Sequence, residues 1–359
     1  MKIKSLIFTI IVLGLTTNSY GASYAYLFSN NGTMKLNLDT NSITNVTTSV
    51  TPSIGYLNVP VFANTSSNSL FIFYGENRIG LAIFNLQNLH LKKNIGIISY
   101  NEDGDMPYII IPPTGNIFYL KWVTANTFSE YTASYNLQTL DKLSDNTNFP
   151  ISYYKYLGYS TSGDKLFGID ISSGLIDVYD STTFTQTDNY SIENIFLSTN
   201  TGKEVEDFEN NILLIAESSA LDPSSTSNID MLYAFNVVGK QLLSKINTGI
   251  KGSNMKLTPD GNMILYSETK QTYYDNYHTN SDTGKIHLYS TTTGKEITTV
   301  TIPANSYCSI LGISPDSSNA YLIVKIPNSE QYELVTLDLN KFQITNIIKN
   351  VFATTMVFY

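Results

Sequence analysis

The chain of 359 residues has one cysteine, Cys308, so no internal disulfide can form. Arginine is equally scarce: Arg78 stands alone, and with it goes most capacity for bidentate phosphate recognition. Acids outnumber bases, 30 against 21, and the resulting net charge of −9 repels nucleic acid. Histidine occurs only at His90, His278 and His287, too scattered for the converging imidazoles of a catalytic zinc or copper centre. No G-x-S-x-G elbow exists, so a serine hydrolase has no visible nucleophile. Gly202-Lys203 and Gly294-Lys295 lack the upstream glycine of a phosphate loop. The lone Trp122 argues against a tryptophan-rich quinone dehydrogenase.

What is present begins with a leader. Lys2 and Lys4 precede an apolar run, Leu6 to Leu15, broken only by Thr9 and Gly14, and Ser19-Tyr20-Gly21 supplies small residues before a cut ahead of Ala22. Residues 1–21 read as a cleavable secretory signal. The run is shorter than the roughly 20 apolar residues of a membrane span. Cleavage leaves 19 basic and 30 acidic residues, a net charge of −11. The expectation is an exported protein, periplasmic or extracellular, with no membrane insertion after cleavage.

In residues 22–359 one pattern recurs about every 50 residues: a turn of Pro/Asp/Gly type, an apolar strand, then a strand ending in Asp, Asn or Ser. Written by their second strands, the copies are Tyr24-Ala-Tyr-Leu-Phe28, Leu70-Phe-Ile-Phe-Tyr74, Ile117-Phe-Tyr-Leu-Lys121, Leu166-Phe-Gly-Ile-Asp170, Leu213-Leu-Ile-Ala-Glu217, Ile264-Leu-Tyr-Ser-Glu268 and Tyr321-Leu-Ile-Val-Lys325. Four strands per copy can be laid out in the sixth and seventh, and the pattern predicts an all-β, seven-bladed β-propeller forming a single domain. In the fifth copy Ile195-Phe-Leu-Ser198 is the predicted first strand, followed by a long turn. The third strands close at Asp39, Asn85, Asn136, Asp180, Asn236, Ser290 and Asp338, each expected to start a turn by bonding the backbone ahead of it. Blade 1 lacks a first strand, and the tail Val351 to Tyr359 is a strand left over, so the C-terminus is expected to complete blade 1 and fasten the ring without a disulfide.

Leu257-Thr-Pro-Asp-Gly-Asn-Met-Ile-Leu-Tyr266, Ile313-Ser-Pro-Asp-Ser-Ser-Asn-Ala-Tyr-Leu322 and Ser160-Thr-Ser-Gly-Asp-Lys-Leu-Phe167 resemble the S-P-D-G-x-x-A-Y-V segment of the YVTN-type propeller repeats. The motif is architectural. The resemblance implies a secreted or surface propeller in a superfamily that includes lactonase-like enzymes and cell-surface proteins.

Two features carry candidate chemistry. Aligning the second strands places Lys121, Asp170, Glu217, Glu268 and Lys325 at one position, expected near a mouth of the central channel. An acidic arc of Asp170, Glu217 and Glu268 has the hard oxygen ligands for Ca²⁺ or a cationic ligand; the plain alternative is that the flanking lysines simply pair with the acids. The second feature is a pair of long connections leaving the same strand ends, Ser218 to Asn228 in blade 5 and Thr269 to Asp282 in blade 6. Tyr273, Tyr274, Tyr277 and His278 give the latter rigid amphipathic surfaces suited to peptides or sugars; the plain alternative is a polar, disordered loop. Glu102-Asp-Gly-Asp105 has carboxylate spacing but not the remaining ligands of a calcium loop. The expectation is a monomeric, non-enzymatic propeller that binds a protein, peptide or glycan on the face of blades 5 and 6. The alternative is a lactonase-like hydrolase in which a metal on the acidic arc activates water.

Overall fold

The computed structural model describes residues 22–29, 32–46, 61–74, 78–99, 108–112, 116–123, 130–145, 156–170, 173–192, 202–218, 230–274, 277–302, 307–326, 329 and 331–359. The predicted leader (residues 1–21), the blade 5 connection at 219–229 and Glu102-Asp-Gly-Asp105 lie outside them.

Seven antiparallel sheets of four strands each succeed one another along the chain. Blade 5, for example, runs Gly202–Glu209, Ile212–Ser218, Asp230–Asn236 and Gln241–Asn247, each strand paired with the next. From blade 5 through blades 6, 7 and 1 to blade 2, the first strands of successive blades touch one another, which places these strands innermost, around the channel. Blade 1 takes its first strand from the far end of the chain: Thr355–Phe358 pairs antiparallel with Tyr24–Ser29. Tyr24 and Tyr359 then exchange backbone hydrogen bonds, and the Tyr359 ring stacks on Tyr26 with centroids 4.7 Å apart. The predicted closure is present.

The second strands are apolar on both faces because each blade is covered on both sides. The core is accordingly a set of seven wedges, one per interface. Phe167, Ile169 and Val178 of blade 4 meet Leu213, Ile215 and Phe235 of blade 5; Leu214, Leu232 and Ala234 on the other side of blade 5 meet Ile264 and Tyr266 of blade 6. The last wedge joins Tyr321 and Ile323 of blade 7 to Ala25, Leu27 and Phe358 of blade 1.

Turn chemistry repeats as regularly as the strands. Asn85, Asn136, Asp180, Asn236, Ser290 and Asp338 each accept at least one backbone N–H just ahead of them, as the sequence suggests. In blade 1 the residue is Asn37, not Asp39: Asn37 Oδ1 accepts from the N–H of Asp39 and Thr40 at 3.0 and 2.8 Å. Four residues after each of these caps the backbone turns left-handed, at Asn41, Leu89, Leu140, Phe184, Lys240, Gly294 and Phe342, with φ between 51 and 66°.

Blade 5 departs from expectation at its start. Its first strand is Gly202–Glu209, and Ile195 to Ser198 lie outside the described residues. No long turn follows; Glu209 pairs directly with Ile212 across Asn210-Asn211, both at positive φ. Two consecutive left-handed residues make the tight hairpin turn that suits strand twist.

Candidate functional site

The charges aligned in sequence do not all face the same way. Side chains alternate along a strand, so an offset of one residue sends a group to the opposite face. Asp170 shares its strand with Leu166, which packs toward blade 3. Glu217 follows Leu213 and Ile215, which face blade 4, and Glu268 shares the blade 5 side of blade 6 with Tyr266. Each acid therefore faces the preceding blade, in a different wedge. Lys325 continues the face of Tyr321 and Ile323, toward blade 1, the following blade. Lys121 pairs by backbone with Tyr108 and Thr132, and its side chain lies outside what is described. In blades 5 and 6 the second strand is one strand removed from the first strands that touch their neighbours.

Each acid has its own local partner. Asp170 accepts from the Ser173 hydroxyl at 2.6 Å. Glu217, 6% exposed, accepts from the Tyr233 hydroxyl. Glu268 Oε2 lies 2.9 Å from His287 Nε2 and 3.7 Å from Lys285 Nζ. Among the described residues no group of three or more His, Cys, Asp or Glu is placed to hold a metal ion.

The blade 6 connection is where structure and sequence differ most. Residues read as a loop continue two strands: Met263–Tyr274 and Tyr277–Ser290 pair through Tyr274↔Tyr277. The blade's outer strands stop earlier, with Lys251↔Thr269 on one side and Lys285↔Thr301 on the other. Beyond those pairs stands a two-stranded ribbon in register over Lys270↔Ser281, Gln271↔Asn280, Thr272↔Thr279, Tyr273↔His278 and Tyr274↔Tyr277. Five residues at strand rise make it roughly 17 Å long. The register places Tyr273 opposite His278 and Tyr274 opposite Tyr277 at the tip. Gln271, Thr272, Thr279 and Asn280 explain why this was legible only as a loop: polar β-formers without apolar alternation carry no strand signal.

At the base of the ribbon sits a cluster that sequence reasoning missed. His287, 9% exposed, has Glu268 on Nε2 and Glu296 Oε1 2.9 Å from Nδ1, with the Thr299 hydroxyl 3.0 Å from the same nitrogen. The Thr299 hydroxyl, and then His287, hold the Glu296 carboxyl below the usual range. Three strands supply the four groups, so only the register reveals their proximity. The ring lies parallel to Tyr289 at 6.3 Å, which fixes its plane.

No protein-family model matches the chain, and no curated protein is similar to it at the level searched. Solved structures share its architecture. A protein from Lactobacillus plantarum superposes with a TM-score of 0.57 at 10% identity, over 94% of this chain and 100% of that one. A protein of Bacteroides uniformis, provisionally assigned as a 6-phosphogluconolactonase, gives 0.55 at 12% identity over 94% and 100%. A dihydro-haem d1 dehydrogenase gives 0.51 at 12% identity over 93% of this chain, which spans 66% of that protein. At such identities the likeness establishes the seven-bladed propeller and nothing finer.

Proposed function

We propose that this protein is an exported, non-enzymatic propeller that binds a protein, peptide or glycan through the ribbon of blade 6 and the neighbouring connection of blade 5. The ribbon carries the reading. A two-stranded extension on its own is marginal in water, so the blade is expected to gain little stability from it. Among the described residues no third strand pairs with either edge, leaving backbone donors and acceptors available to an extended partner. The tip concentrates Tyr273, Tyr274, Tyr277 and His278, residue types that give large contact area at low entropic cost.

Replacing Gln271–Asn280 by Asn-Gly re-forms the hairpin at Lys270↔Ser281 and removes the tip. The wild-type protein should enrich ligands from a random peptide display library or a glycan array, and the shortened protein should not. Its melting temperature should stay within about 2 °C of wild type. Undiminished enrichment by the shortened protein sinks the proposal.

A further inference from the structure

On the face opposite the ribbon, blade 5 leaves part of blade 4 uncovered, and a cleft of about 310 Å³ opens between them. Its floor is apolar: Phe167 and Val178, register partners on blade 4, and Val237 from the turn of blade 5, all buried. Charged groups border it across three adjacent strands. Lys165 is the register partner of Asp180, and Asp188 the partner of Val178. The wall is already fixed, because the Tyr190 hydroxyl donates to the Val237 carbonyl at 2.7 Å and Lys240 pairs with Asp188 at 2.6 Å. A cleft of this volume, with charged groups around an apolar floor, is large enough for one small polar molecule.

The unused bonding capacity says what would fit. Lys240 and Asp188 neutralise one another. Asp164 takes the Ser160 and Ser162 hydroxyls on Oδ1, leaving Oδ2 open. Asp180 takes the Thr182 and Thr183 amides and the Thr183 hydroxyl on Oδ1, with no bond to Oδ2 among the described residues. Ser162, foremost, and the Thr183 amide hold these carboxyls below the usual range, so both are acceptors only at neutral pH. The Lys165 ammonium lies within electrostatic reach of Asp164 and Asp188, makes no side-chain hydrogen bond or ion pair among the described residues, and offers three donors. An anion would meet two open carboxylates, and a cation would meet the open ammonium. A hydroxyl donates and accepts at once, and a sugar also presents C–H surface to an apolar floor.

We propose that the cleft between blades 4 and 5 binds one residue of a neutral sugar, with Lys165 donating to its hydroxyls and Asp164 and Asp180 accepting from them. This site is independent of the ribbon and stands or falls separately from it.

Saturation-transfer NMR on the whole protein tests it with glucose, galactose, mannose and N-acetylglucosamine, using glycine and inorganic phosphate as charged competitors. At least one sugar should receive saturation at its ring protons. Lys165→Met, which removes the ammonium but keeps a side chain of similar length, should weaken that sugar about tenfold, as loss of a charge-assisted hydrogen bond does. Val238→Trp, at an exposed position on the cleft's edge, should block it. Silence from all four sugars overturns the proposal. So does a signal that survives both variants, or one that glycine or phosphate displaces.

Discussion

Glu296 is the residue whose titration the structure most clearly ties to stability. Its carboxylate is bonded by Thr299 and His287, so the folded state releases this proton more readily than the unfolded chain does. A depressed acid contributes stability above its unfolded value, near 4.3, and loses it as pH falls through the lower folded value. Its side chain is 43% exposed, so solvent screens much of the effect. Glu296→Gln should therefore cost less than about 1 kcal/mol at pH 7, and that difference should shrink progressively as the pH is lowered from about 4 toward 2. Urea unfolding at about pH 7 and about pH 2 measures it; an equal deficit at both refutes the assignment. Glu209, by contrast, is pushed above the usual carboxylate range by burial and then by Asp207, which works in the opposite direction with pH. Residue identity alone announces neither case, because one acid owes its behaviour to a strand nine residues from its histidine partner and the other to its depth in the first strand.

At the scale of the element, the repeated hairpin between third and fourth strands specifies each blade. An Asx or Ser cap is followed four residues later by a left-handed residue, in all seven blades. The cap's role predicts that Asn136→Ala, which frees the amides of Gln138 and Thr139, costs about 1 kcal/mol in urea melts, whereas Asn136→Asp costs little. Equal losses for the two substitutions would show that the amide acceptor is not what matters. These turns were readable in sequence because their chemistry is local. The first strand of blade 5 was not: Gly-Lys-Glu-Val-Glu-Asp-Phe-Glu is a polar run whose buried Asp207 is satisfied by the Leu257 amide of the next blade, 2.8 Å away. The Asn210-Asn211 turn that would have marked it was absorbed into a longer one. A polar strand bonded to its neighbour looks, in sequence, like a loop. The ribbon of blade 6 was hidden for the same reason.

For the molecule as a whole, the fold was legible because seven copies repeat the same apolar interior, and each copy meets the next in its own wedge. The site was less legible, since which blade a side chain faces depends on strand phase. An alignment by length alone placed Lys325 with Glu268, although their strands present them to opposite neighbours. Closure through Thr355–Phe358 has a further consequence. Tyr359 and Tyr24 are opposed as Glu209 and Ile212 are in blade 5, so blade 1 is an ordinary blade whose first hairpin happens to be cut. The ring then has no privileged starting point. A circular permutant that joins Tyr359 to Tyr24 through Asn-Gly, and opens instead between Asn210 and Asn211, should fold to the same ring and melt within about 5 °C of the original. If it does not fold, the order in which blades are threaded matters as well as their contacts. If it does, the seam is a movable join, and any of the seven hairpins can serve as the place where this polypeptide begins.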